Sequence, residues 1–454
     1  MEQALLIVLT LAACVIVARL VLKKINPIFV FLIAGIVIIV LASFLTGTSA
    51  LGEEGSGNYV VDAFAYITTS LKTNVAGVGA IIMTVTGYGA YMNHIKASKK
   101  LAYLAVKPLR AIKNKYLVLA GMYVIGMLLK LVITSQAGLA VLLLGTTFPI
   151  MLALGVHPLI AASTMCLICI DWGPNDGSTI FAAETSGMPV VQFFTDHQFI
   201  VVACIIVVLA IMIPFYYKWV AEKEGLDEAE LEEQTEVDDV DCPGYYVLFP
   251  LIPLALVLVF AIWPIVPMDV ITACFISIVI VAVVELIRRP NKLDVTGDIK
   301  VVFRSMADAF SNIVSIIISA SVFAQGIKML GGVSIIADMI STMQGASVLT
   351  LVLMSLITFA AAMIMGSGAA SLYAFGPLVP EMAAKLGIAT TSIMVPMEIG
   401  TALGRSLSPV AGAVIAVSGY AKVDLMKVIK INMVPLGLAM ILNLAVSVVT
   451  GGLV

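Results

Sequence analysis

The sequence predicts an all-α polytopic membrane protein made of two inverted-topology repeats, and three observations carry that prediction. The first is composition. The chain has 454 residues, 61% of them hydrophobic and only 12% charged, and its mean hydropathy of +1.11 lies far outside the range of water-soluble domains. The second is an internal register. At a constant shift of 232 positions Asp62 meets Asp294, Lys72 meets Arg304, Ile95-Lys96 meets Ile327-Lys328, Ser135 meets Ser367, Gly155 meets Gly387, and Ser186-Gly187 meets Ser418-Gly419. A gap-free register of that length marks two copies of one module. The third is charge. The stretch from Lys96 to Lys115 has seven Lys or Arg and no acid, whereas its counterpart from Lys328 to Ser347 has one Lys and one Asp. "RRPNKLDVTGDIK" (288–300) is basic where the first copy holds Glu53, Glu54 and Asp62, and "YAKVDLMKVIK" (420–430) is basic where the first copy reads "MPVVQFFTDHQ". Lys and Arg collect in cytoplasmic loops. Each comparable pair therefore falls on opposite faces, and the modules are inverted.

A bilayer-length window marks apolar segments at about 4–22, 27–46, 76–94, 116–134, 138–155, 158–186, 198–218, 245–263, 268–286, 308–326, 348–365, 369–384, 390–417 and 431–450. The first has no basic region before it and runs past the lipoprotein-like Leu-Ala-Ala-Cys ending at Cys14, so it reads as a retained span. Inversion needs an odd number of crossings per module, yet each module has seven segments. The pairs around "TSQAG" (Thr134 to Gly138) and "GSGAA" (Gly366 to Ala370) each read as a re-entrant hairpin, which leaves five crossings. The sixth segment of each module is too long and is broken, by "DWGPNDGS" (Asp171 to Ser178) and by "LGRSLSP" (Leu403 to Pro409). The expected organisation is a first repeat over 1–218 (tip 134–138, broken helix 158–186), an acidic cytoplasmic linker over 219–244, and a second repeat over 245–454 (tip 365–370, broken helix 390–417). Eleven of the 28 acidic residues lie between Ala221 and Asp241. Both termini then face outside.

Unwound backbone at membrane depth has to line a protein-walled, hydrated cavity, because lipid cannot satisfy its polar groups. That is the design of a secondary transporter with its site at the midplane. Small and hydroxyl residues at the tips let the chain reverse and offer free N–H groups, and the half-helices that follow place positive partial charge on the cavity. The candidate substrate contacts are Ser135, Gln136 and Gly138 at the first tip, Asn175 at the first break, Gly366, Ser367 and Gly368 at the second tip, and Thr401, Arg405, Ser406 and Ser408 at the second break. Two facing tips suit an anion with a carboxylate at each end. The bland alternative is that the small residues only permit close helix packing. Ionisable residues at this depth cost at least ~2.5 kcal/mol when uncompensated and are functional by default. Lys130, Asp171, Asp176 and Glu398 are the candidates for ion coupling or charge pairing, with Lys130 expected to meet Asp171, and Glu398 to meet Arg405 two turns along one helix. Were both pairs to close, the site would be close to neutral, and a zwitterion or monoanion would fit it too.

"SASVFAQGI" (319–327), "GSG" with "YAF" (366–375) and above all "LGRSLSPVAGAVIAVSGYAKV" (403–423) resemble the anaerobic C4-dicarboxylate carriers of the DcuC type. The likeness continues through "GYGAYMNHI" and "PLRAIKNKYL" in the first half and covers most of the chain. It implies an ion-transporter-superfamily fold and a multi-pass carrier of succinate, fumarate, malate or aspartate in the bacterial inner membrane, working by ion-coupled symport or by antiport. The chain departs from the family where it has Thr401 and Ala402 in place of Ser-Asn, and in carrying Lys130, Asp171 and Glu398. A carrier of another organic anion or an amino acid on the same fold is the alternative reading.

An intramembrane hydrolase with Ser367 as nucleophile would need a base, but His94, His157 and His197, the three histidines, fall at segment ends or loops. No H-E-x-x-H zinc motif occurs. No enzyme, cofactor or metal is expected, and Na+ and H+ are the open choices of coupling ion. Cys166 and Cys169 form a C-x-x-C spacing inside an apolar segment, where thiols behave as small hydrophobes. The partners are a small organic acid and the bilayer, not nucleic acid. A homodimer is one arrangement open to the chain, which does not fix its own oligomeric state.

Overall fold

The structure, a computed structural model, describes residues 2–23, 25–112, 114–226, 242–263, 265–332, 334–335, 338 and 345–453. Residues 227–241, the heart of the expected acidic linker, lie outside the described residues, as does the side chain of Cys14. Among the described residues all regular structure is helical, and eight helices are long and apolar enough to cross a bilayer. The protein is a multi-pass membrane protein.

Several helices begin where the sequence supplies a cap. α1 (Glu2–Leu22) is followed by α2 (Pro27–Thr46), which starts on Pro27 behind Asn26, whose side-chain oxygen accepts from the Ile28 N–H. Asn58 likewise opens α3 (Tyr59–His94), in which a π turn at Val75–Gly79 carries Gly77 out of helical geometry. Next come α4 (Ala97–Val106), α5 (Lys115–Lys130), α6 (Gln136–Thr146), α7 (Phe148–Ala153), α8 (Pro158–Cys166) and α9 (Gly177–Thr185). α10 (Val190–Lys223), α11 (Gly244–Ile262), α12 (Val270–Arg288) and α13 (Lys292–Leu330) are full-length candidates for crossing. The chain finishes with α14 (Ala346–Met365), α15 (Gly368–Phe375), α16 (Val379–Leu386), α17 (Thr390–Ser406), α18 (Gly412–Tyr420) and α19 (Leu425–Thr450).

Several boundaries differ from the hydropathy windows. α3 and α13 begin about a dozen or more residues before the apolar stretches at 76–94 and 308–326, because hydrogen bonding continues through amphipathic turns that a hydropathy window rejects. The basic stretch after α3 is not a plain loop; it folds into α4 and a short 3₁₀ turn, Lys107–Ala111. Starts recur along the chain: α6 and α15 begin at 136 and 368, α8 and α17 at 158 and 390, each 232 apart, while α9 and α18 begin at 177 and 412, 235 apart.

The packing has the inside-out character expected in lipid. On α10, Val207, Ile211 and Phe215 form one exposed stripe, while Ile205, Leu209, Ile213 and Tyr217 are buried. α2 and α13 cross closely: a Cβ built on Gly35 would lie 2.7 Å from the Phe323 nitrogen, and one on Gly326 would lie 3.0 Å from Ile38. The innermost layer consists of α8, α9 and α17. Leu159 through Cys166 are all buried, and so are Thr391 through Gly404, so these interrupted helices sit at the centre with protein on every side.

Candidate functional site

Between α8 and α9 residues 167–176 leave the helix, and between α17 and α18 residues 407–411 do the same. Their backbone groups need partners that only protein can provide. Trp172 Nε1 donates to the Met127 carbonyl (2.9 Å) and the Gly173 N–H donates to Gln198 Oε1 (3.0 Å). Asp176 caps α9 by accepting from the Ser178 N–H at 2.8 Å. Arg405, in the last turn of α17, donates through Nη2 to the Cys169 carbonyl at 2.8 Å. The second broken helix thus holds the first one open.

Asp171 is the hub. Its Oδ1 accepts from Lys130 Nζ at 2.7 Å, and its Oδ2 accepts from Arg405 Nη1 at 2.8 Å. Lys130 is wholly buried and also donates to the Thr134 carbonyl at 2.8 Å. The expected Glu398–Arg405 pair does not form. Two turns on one helix align two residues on a face, but Arg405 reaches across to the other broken helix instead. Glu398 turns to neutral partners, Thr179 Oγ1 (2.6 Å) and Gln198 Nε2 (2.9 Å). Lys130 and Arg405 therefore converge on the one carboxylate of Asp171, and Glu398 stands outside that cluster.

A cavity of about 290 Å³ opens against this cluster, lined by Thr134, Ser135, Gln136, Asp171, Asn175, Asp176, Ser178, Tyr373 and Arg405 among others. It adjoins a second cavity of about 190 Å³ through shared walls at Val85, Thr86, Thr134, Ser135 and Asn175; the second cavity is also lined by Asn93 and Ser98 at the basic end of α3. Two residues of the first cavity wall each have a buried polar atom, Arg405 Nε and Asn175 Oδ1, with no partner among the described residues, an arrangement that calls for a ligand or water. The N-terminus of α6 faces the same space.

Of the sequence candidates, Ser135, Gln136, Asn175, Asp171, Asp176 and Arg405 line the cavity. Lys130 stands behind Asp171, and Ser406 accepts from Gln136 Nε2 at 3.2 Å. The second tip is placed differently from the expectation of two facing tips. Gly366, Ser367 and Gly368 do not line the cavity; α15 contributes Ala369 and Tyr373 to it instead. The reason is packing. A Cβ on Gly368 would lie 3.0 Å from the Thr401 carbonyl, and one on Gly366 would lie 2.8 Å from Val410 Cγ2, so this tip is pressed against α17 and the break that follows it. Both tip serines cap helices: Ser135 Oγ accepts from the Gly138 N–H (3.1 Å) and Ser367 Oγ from the Ala370 N–H (3.2 Å). Thr401 donates to the Glu398 carbonyl and Ser408 accepts from the Val410 N–H, so neither hydroxyl is aimed at the cavity. His197 lies within a π turn of α10 rather than in a loop.

The sequence reading missed Thr86, Ser178, Thr179, Gln198 and Tyr373. Gln198 carried a usable signal, an amide at the edge of the long apolar run from Phe199 to Phe215, and the structure buries it fully. Tyr373 and Thr86 carried none, because aromatic and threonine residues are ordinary in membrane helices. Among the described residues no group of His, Cys, Asp and Glu is arranged to hold a metal.

The model of the C4-dicarboxylate anaerobic carrier family, DcuC, matches residues 1–451. The probable anaerobic C4-dicarboxylate transporter DcuC of Vibrio cholerae serotype O1 is 32% identical over 432 residues, 94% of this chain and 93% of that protein. The anaerobic C4-dicarboxylate transporter DcuC of Escherichia coli K12 is 31% identical over 424 residues, 92% of this chain and 91% of that one. In fold the chain is similar to Neisseria gonorrhoeae MtrF, described as illuminating a class of antimetabolite efflux pumps (TM-score 0.63, 16% identity, 93% and 94% of the two chains). It is also similar to the Alcanivorax borkumensis YdaH transporter, with a TM-score of 0.59 at 16% identity over 94% and 98% of the chains.

Proposed function

The chain belongs to the C4-dicarboxylate anaerobic carrier family, a family of transporters and not of enzymes, and from that premise we propose that it carries C4-dicarboxylates across the bacterial inner membrane by alternating access. One observation supports the substrate class: Lys130 and Arg405 converge on Asp171, and Arg405, whose buried Nε has no partner among the described residues, lines the cavity. A carboxylate placed there would accept from Arg405 Nε and from the free N–H groups at the start of α6, both favourable for an anion. Thr86, Asn175 and Ser178 line the walls where the far end of a four-carbon acid would lie. The cavity volume is near the lower end of the ~300–1,000 Å³ typical of small-molecule sites, as a compact acid requires. Asp176 on the same wall would pair with an ammonium group, which favours aspartate as a further substrate.

The alternating-access reading rests on two cavities of opposite aspect. The substrate cavity communicates with the basic end of α3, the cytoplasmic side by the positive-inside rule. A separate cavity of about 350 Å³, lined by Thr69, Asn74, Gln325, Lys328 and Glu381, lies toward the other end of α3 and shares no lining residue with it. The conformation is therefore read as inward-facing. Two inverted repeats would supply the symmetric counterpart, and the 232-residue spacing shared by two pairs of helix starts supports that reading. In the outward-facing state the second tip, with Ser367, would take the place of Ser135. The test is counterflow in proteoliposomes with labelled succinate against a panel of mono- and dicarboxylates and amino acids. Exchange confined to four-carbon diacids is expected. Exchange by neutral amino acids or monocarboxylates alone would refute the assignment.

A further inference from the structure

Three acidic side chains, Asp171, Asp176 and Glu398, are buried at membrane depth on the broken helices, and their surroundings differ. Asp176 caps α9 and lines the substrate cavity. Asp171 is held by two cations. Glu398 is wholly buried, and among the described residues no Lys, Arg or His lies within ion-pair distance of it. Its Oε1 accepts from Thr179 Oγ1 at 2.6 Å and Gln198 Nε2 at 2.9 Å, while Gln198 Nε2 also donates to Thr179 Oγ1 at 2.9 Å. Its Oε2 is buried with no hydrogen-bond partner among the described residues. Hydrogen bonds from neutral groups to one oxygen do not offset the burial of a full charge, and the unpartnered oxygen is a place where a proton can sit.

We propose that Glu398 is the proton-binding site through which this carrier couples dicarboxylate movement to a proton, an inference that rests on the transport reading above. The coupling is electrostatic. Glu398 and Arg405 are seven residues apart on α17, about 10 Å along the axis, so an anion held at Arg405 repels an ionised Glu398. At an effective dielectric of ~20, unit charges at that distance change affinity by about tenfold. Substrate binding and protonation of Glu398 thus favour each other, and the effect is reciprocal. The charged and titratable groups around Glu398 agree with this. Asp171 and Asp176, from the segment before α9, are near enough to repel its charge, and Tyr373 of α15 faces it. α14 carries no ionisable residue. In α16, Lys385 pairs with Asp338 and Glu381 lines the distant cavity. Asp424, Lys427 and Lys430 lie at the far start of α19. In the π turn of α10 Asp196 is exposed, and His197 lies beside Thr391 and Ser392 at the start of α17.

The experiment measures proton uptake by the purified full chain in weak buffer with a pH-indicator dye as succinate is added, over a range where succinate stays fully ionised. It is repeated with Glu398→Gln, which keeps the acceptor oxygen for Thr179 and Gln198. The parent is expected to take up protons on binding and to lose affinity about tenfold as pH rises. The variant should bind succinate with a pH-independent affinity and take up none. Unchanged proton uptake by Glu398→Gln, or succinate binding that follows sodium instead of protons in the parent, overturns the proposal. If the parent binds no dicarboxylate, the transport reading fails, and infrared spectroscopy still decides the site: a protonated-carboxyl band present in the parent and missing from the variant upholds it, and absence from the parent refutes it. Should Glu398→Gln fail to fold, Glu398→Asp is expected to retain proton uptake with a displaced pH dependence, and an undisplaced one counts against the assignment.

Discussion

Asp171 shows how much one residue in this site controls. It separates the buried Lys130 from the partly exposed Arg405, so Asp171→Asn would leave both without a counter-charge. Breaking a buried pair by removing one partner costs about 3–5 kcal/mol. The detergent-solubilised variant is therefore expected to unfold at a clearly lower temperature than the parent. Lys130→Met should be milder, since Arg405 still donates to both oxygens of Asp171 (2.8 and 3.1 Å). Arg405→Lys tests the opposite property. A lysine ammonium has three donors on one nitrogen, too few for both Asp171 oxygens, the Cys169 carbonyl and a ligand in the cavity. Succinate affinity, measured by calorimetry, should fall by about tenfold or more, as the loss of one charge-assisted bond predicts, with the protein still folded. At this scale the sequence showed which residues were ionisable at membrane depth, but not whom they meet. Arg405 and Asp171 are 234 positions apart, and no local spacing encodes that contact.

Among elements, the two hairpin tips are alike in sequence and unlike in surroundings. Ser135→Ala and Ser367→Ala each remove a helix cap worth about 0.5–2 kcal/mol. Only Ser135 lines the cavity, so in inward-facing protein Ser135→Ala is expected to weaken succinate binding and Ser367→Ala to leave it close to the parent. Equal loss in both would show that the second tip reaches the substrate too. α17 depends on glycine for its place. A Cβ on Gly404 would stand 2.2 Å from the Phe359 carbonyl of α14, a contact that only backbone displacement relieves. Gly404→Ala should therefore shift the neighbouring Arg405 and lower transport more than Gly400→Ala, where the nearest atom is the flexible Met440 side chain at 3.4 Å. The helix breaks were legible as Gly, Pro, Asn and Asp inside overlong apolar segments. Which tip is open and which is sealed was not, because conformational state is a property of packing and both states share one sequence.

Over the whole molecule, the proposed inverted topology predicts which surfaces meet each solvent. Single cysteines placed in the Lys96–Lys115 stretch should escape an impermeant thiol reagent applied from the periplasm to intact cells, and those near Ser56 or Ile265 should react; the reverse pattern would refute the orientation. Composition and hydropathy by themselves determined that this chain is an all-helical, multi-pass membrane protein, because the bilayer selects for apolar residues over long windows and the signal adds along the chain. Short motifs around the second break were enough to indicate its family, since they are local strings. The tertiary structure alone decided that Arg405 pairs with Asp171 instead of Glu398, that Gln198 and Thr179 hold Glu398, and that the first tip, not the second, faces the open cavity. Those outcomes depend on how two interrupted helices from distant parts of the chain lie against each other, and a buried charge takes whichever partner that packing brings within hydrogen-bond reach.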